Sequence, residues 1–164
     1  MIRRLALTAG CIALSTIALS GKAHAQTVDI NFTGTVPPSC STSSVTAGVM
    51  KVPTGNLPVL TSTAADAAGA SNGSFKLTCT GAAQVSIGIP TPQNAASGNV
   101  GNYGSRIEGV TSNYAVKGGA AQTGTIAAPI SNRTVEVNTF VNNGGTPLPV
   151  GTYAYKATVT ITPQ

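Results

Sequence analysis

The chain has 164 residues, with nine basic against four acidic side chains, one histidine, three cysteines and no tryptophan. That is about one domain of chain. Beyond the paired Arg3 and Arg4 at the start, its sparse charges are scattered singly and lack the basic patch or stripe expected of a nucleic-acid binder.

The first 25 residues read as an export signal. Arg3 and Arg4 lead into a mostly apolar run over residues 5–19, closed by the small-x-small site Ala23-His24-Ala25. The run is short for a membrane span and fits a cleavable secretory signal. The mature chain is expected to start at Gln26 as one domain, residues 26–164. Arg3, Arg4, Lys22, Cys11 and His24 leave with the signal, so six basic and four acidic side chains remain. The two remaining cysteines, Cys40 and Cys79, read as one disulfide of an exported protein. As metal ligands they would have no further Cys or His to complete a shell.

Next comes a two-residue period. Val28, Ile30, Phe32, Gly34 and Val36 alternate with Asp29, Asn31, Thr33 and Thr35, and the pattern stops at Pro37-Pro38. Alternate side chains of a strand point to opposite faces, so residues 26–36 are expected to form an amphipathic strand. Two uses fit it: an ordinary first strand of its own sandwich, or an edge strand donated to another molecule. In the second case backbone hydrogen bonds supply affinity, and Val28, Ile30, Phe32 and Val36 fill pockets.

Further along, residues 45–52 suggest a short strand, followed by the turn Pro53-Thr54-Gly55-Asn56. Residues 61–74 are small and polar, with Gly69 and Asn72-Gly73 as turn signals. Phe75, Leu77 and Cys79 alternate with polar neighbours. After Gly81, Val85, Ile87 and Ile89 resume the alternation, so a strand, a tight connection and a second strand are expected. Residues 90–105 read as a loop. Short strands are expected at residues 106–110, 114–117 and 123–130, with a better one through Val135, Val137 and Val141 that stops at Asn142-Asn143-Gly144-Gly145. The clearest comes last, with Tyr153, Tyr155, Ala157, Val159 and Ile161 on one face. Many short strands separated by turns, with no sustained helical period, predict an all-β sandwich or barrel.

Catalytic chemistry finds few residues. A Ser/His/Asp or Cys/His arrangement needs a histidine base, and none is left after the signal. The available carboxylates are Asp29, Asp66, Glu108 and Glu136; Asp29 and Glu136 sit on polar strand faces and read as solvated groups rather than as part of a glycosidase pair. Gly118-Gly119 and Gly144-Gly145 read as turns, not phosphate cradles. No enzyme activity, cofactor or metal is expected.

The layout resembles the spore coat protein U family, which includes subunits of archaic chaperone–usher pili. The resemblance rests on a signal followed at once by the alternating segment from Val28 to Val36, with Cys40 close behind. It rests also on Gly73-Ser74-Phe75-Lys76-Leu77-Thr78-Cys79-Thr80-Gly81, similar to the family's second-cysteine strand, and on Val85-Ser86-Ile87-Gly88-Ile89 as its partner. The closing Gly151-Thr152-Tyr153 strand through Val159-Thr160-Ile161-Thr162 completes it. Residues 94–132 depart from the family's pattern. The resemblance implies an immunoglobulin-like sandwich of pilin type lacking one strand. It implies a periplasmic chaperone and an outer-membrane usher as partners, and a cell-surface or pilus location. It also implies Cys40–Cys79 as the family disulfide and Val28, Ile30, Phe32 and Val36 as the row given to another copy or a related subunit. The alternative is a self-contained secreted sandwich that binds carbohydrate or protein through residues 90–105 and 142–149.

Overall fold

A computed structural model describes Thr27 and residues 29–164. The expected export signal and Val28 lie outside the described residues. Two units are distinguished, residues 1–34 and 35–164, and every strand below belongs to the second. The fold is all-β.

The larger sheet holds β1 (Cys40–Thr46), β3 (Gly73–Cys79), β9 (Ile130–Asn142), β6 (Asn102–Ile107) and β7 (Ala115–Val116), in that order. β2 (Val59–Thr61) joins β9 beyond the end of β3. The facing sheet holds β11 (Val159–Pro163), β4 (Ala83–Ile87) and β8 (Gln122–Ile126). A short pair, β5 (Thr91–Pro92) with β10 (Tyr155–Lys156), prolongs it. Bridging bonds from Gly88 N to Thr158 O and from Gln93 N to Ala154 O make β4–β5 and β10–β11 one interrupted antiparallel ladder.

Alternation decides which side chains go inside. Phe75, Leu77 and Cys79 of β3 are buried, as are Ala83, Val85 and Ile87 of β4. Their two rows meet across a single core with Ile107, Ile126, Ile130 and Val135. On β9, Ile130 and Val135 differ in parity, yet both are buried. Asn132, with φ of 50°, accompanies a break in register against Leu77 and Cys79. A bulge of this kind inserts one residue and swaps the inward face. A second cluster at the other end of β9 gathers Val100, Tyr103 and Val141, with Tyr155, Met50 and Leu148 packed on it.

Several elements differ from the sequence expectation. β3 and β4 are joined tightly but lie in opposite sheets rather than pairing, because both apolar rows satisfy one core from either side. The first long strand ends at Thr46, where the strand over residues 45–52 was expected to begin, since Cys40 pairs with Cys79 and sets the register. Within residues 90–105 sit a single helical turn, α1 (Ala95–Gly98), and the start of β6. Asn94 caps that turn by accepting from Ser97 N at 2.9 Å. The last strand breaks at residues 157–158 into β10 and β11. Residues 29–39 form no strand among the described residues.

Candidate functional site

The two sheets do not close on every side. Among the described residues β1 pairs only with β3, and β11 only with β4. The two strands approach each other without forming a ladder. Each therefore turns a row of backbone donors and acceptors toward the gap, and an edge of this kind is a template for another strand.

Between them lies a groove of about 680 Å³. One wall is β10–β11, whose Tyr155, Ala157, Val159 and Ile161 line it at two-residue spacing. The opposite wall is β1 with Thr42, Val45 and Thr46, continued by Ala47 and Gly48. Phe75 and Val137 form the floor, and Met50, Gln93 and Thr139 stand near the β10 end. Both walls leave apolar surface uncovered. Val45 is 81% exposed, and Val159 and Ile161 are only half-buried. A sandwich with all its strands would bury that surface.

The groove is well anchored. Cys40 and Cys79 are disulfide-bonded, which fixes the first residue of β1 to the last of β3. β1 then bulges between Ser43 and Thr46, with Ser44 at φ of 51°, and bends past the groove mouth. At the β10 end the Tyr155 hydroxyl donates to Ser97 O at 2.7 Å, and its ring lies 5.0 Å from that of Tyr103. Burial, more than any other influence, pushes the Tyr155 phenol up to about 12. It therefore stays protonated and keeps donating at any ordinary pH.

Comparison with family models, with curated proteins and with solved structures finds no match.

The expected site residues divide into two groups. Cys40 and Cys79 are brought together as expected. Val28 is outside the described residues, while Ile30, Phe32 and Val36 are 70%, 90% and 78% exposed. Three large apolar side chains on alternate positions are thus left in water. Sequence reading missed the groove floor and the β1 wall. One signal for the wall was available: Cys-Ser-Thr-Ser-Ser-Val-Thr of β1 has no alternating apolar row, which marks a strand lying over an opening. Among the described residues no cluster of three or more Cys, His, Asp or Glu side chains is placed to hold a metal. The loops over residues 90–105 and 142–149 do meet, through Gly101 N donating to Asn143 Oδ1 at 3.2 Å.

Proposed function

We propose that this chain is an exported structural subunit of a surface fibre or coat, assembled by strand donation. On this reading it is a pilin-type immunoglobulin-like sandwich that lacks one strand and is not an enzyme. The resemblance to the spore coat protein U family makes a periplasmic chaperone and an outer-membrane usher its partners in transit.

The observation that carries the reading is a match of two periods. The groove wall from Tyr155 to Ile161 presents an apolar side chain at every second residue. The exposed segment from Ile30 to Val36 repeats that spacing over the same number of residues, with Gly34 leaving one of its four positions without a side chain. At about 3.3 Å per residue each row runs roughly 20 Å. A strand laid between β1 and β11 would satisfy both free edges. Each of Ile30, Phe32 and Val36 moved from water into the groove would contribute about 1.5–3 kcal/mol, with backbone bonds holding the register. The absence of histidine after Ala25 supports the non-enzymatic part, because the usual nucleophile–base pairs have no base.

The test is direct. The mature chain, secreted alone, should polymerise or aggregate on a sizing column. Residues 26–36 grafted to the C-terminus through a flexible linker should convert it to a soluble monomer. Val159→Asp should abolish that rescue, because a charge in the groove opposes burial of the strand. A native chain that elutes as a monomer at every concentration, unchanged by the graft, would rule the reading out.

The meeting of residues 90–105 with residues 142–149 favours a second reading, a self-contained sandwich that binds carbohydrate or protein at that end. It expects the native monomer that the first reading forbids.

A further inference from the structure

A segment carried by the same chain as an open groove has a large advantage over any competitor in solution. A short flexible tether gives an effective concentration of about millimolar, so against micromolar competitors the groove's own segment would win by roughly a thousandfold. A subunit that feeds its neighbour needs a reason not to feed itself.

The tether between the apolar row and β1 is Pro37-Pro38-Ser39. To lie along β1's free edge, the row would have to reverse across these residues as a three-residue hairpin loop. Such loops use a type I turn followed by a residue in the left-handed region. Pro38 keeps Pro37 extended, out of the helical region that the turn's first corner requires. Ser39 is already engaged: its N–H donates to Thr80 Oγ1 at 2.9 Å, and its carbonyl accepts from Thr80 N at 3.0 Å. The same Thr80 hydroxyl lies 3.3 Å from Pro37 O. One residue later the Cys40–Cys79 bond fixes the chain covalently.

The far side of the elbow is buttressed as well. Gln164 N donates to Ala82 O at 2.9 Å, and the Gln164 carbonyl lies so close to Gly81 that a Cβ there would meet it at 2.6 Å. Val36 and Pro38 sit against Thr80, Gly81 and Gln164 around a hollow of about 250 Å³.

We infer that the Pro37-Pro38 elbow, braced by Thr80, bars the N-terminal row from its own groove and thereby makes strand donation intermolecular. This rests on the strand-donation reading and adds the device that directs it: a second copy of this chain is the occupant because the first is held off. Loosening the elbow turns a fibre subunit into a self-filled monomer.

The experiment places a photo-crosslinking benzoylphenylalanine at position 32 of the mature chain. One form keeps the native elbow and another carries Pro37→Gly, Pro38→Gly and Thr80→Ala. A third keeps the elbow but has a flexible Gly/Ser insertion between Val36 and Pro37, which guards against misfolding of the triple variant. After irradiation at micromolar concentration and at tenfold dilution, links are mapped by mass spectrometry. The native elbow should give groove links only between copies, falling with dilution. The two loosened forms should give groove links within one copy, indifferent to dilution, and at least tenfold fewer multimers. Within-copy groove links in the native chain would overturn the proposal. Unchanged multimer ladders in both loosened forms would also overturn it while leaving strand donation standing. No groove link in any form would remove strand donation itself, and the elbow's role with it.

Discussion

Asn138 shows how much one side chain holds in place outside the main core. It lies on the outer face of β9, yet it is fully buried. Its Oδ1 accepts from Tyr114 OH at 3.1 Å, and its Nδ2 donates to Thr63 Oγ1. That amide therefore pins two loops onto the sheet. The Tyr114 ring meets Phe140 edge-on at 4.8 Å and carries Arg106 above it at 4.7 Å. Phe140 in turn lies over Gly104, where a Cβ would meet the ring at 2.9 Å. Tyr155 does similar work at the groove's end, and its protonation gives a measurable signature. A phenol whose folded value is about 12 against the ordinary 10 binds its proton more tightly in the folded state. Its contribution to stability is complete below pH 10 and is lost as pH rises through 12. Burial also raises Tyr114, so its contribution runs in the same direction. Urea midpoints measured between pH 9 and 12 should fall with rising pH. Tyr155→Phe should flatten that fall, while lowering the midpoint at pH 7 through loss of the bond to Ser97.

Among the elements, β1 depends most on a single covalent tie. It shares a ladder with one neighbour only and is exposed along nearly its whole length. The disulfide closes a separation of 39 residues, for which chain entropy gives a stabilisation of roughly 3–4 kcal/mol. Cys40→Ser with Cys79→Ser should lower the urea-derived stability by up to that amount. Binding of a peptide of residues 27–37, followed by calorimetry, should weaken at least tenfold, because one groove wall is no longer held. The buried strands were legible in the sequence for the same reason that β1 was not. β3, β4 and the closing strand each carry an apolar row at every second position, and a half-buried strand writes that pattern openly. β1 writes none, since its inward side faces an opening. The expected pairing of β3 with β4 failed because alternation reports which face is buried and says nothing about the neighbour. β9 showed its row at Val135, Val137 and Val141, but its start at Ile130 was hidden because the bulge at Asn132 changes parity midway.

For the whole molecule, the candidate site is a deficiency, and deficiencies are hard to read along a chain. One wall was visible in advance, as the alternating apolar row of the closing strand through Val159 and Ile161. The rest required a fold, because Phe75 and Val137 are ordinary core residues until two sheet edges fail to meet above them. The placement of the disulfide carries a mechanical consequence. If copies are linked by strand donation as proposed, tension would enter through Pro37–Ser39 and reach Cys40, where the sulfur bridge would pass it straight to Cys79 and the larger sheet. The 39-residue span between the cysteines is bypassed and cannot lengthen under load. Pulling a single filament should therefore show each unfolding step growing by roughly 130 Å once the bridge is reduced, the extended length of that span. The cystine would act as a stitch that keeps the thread short where it is pulled hardest.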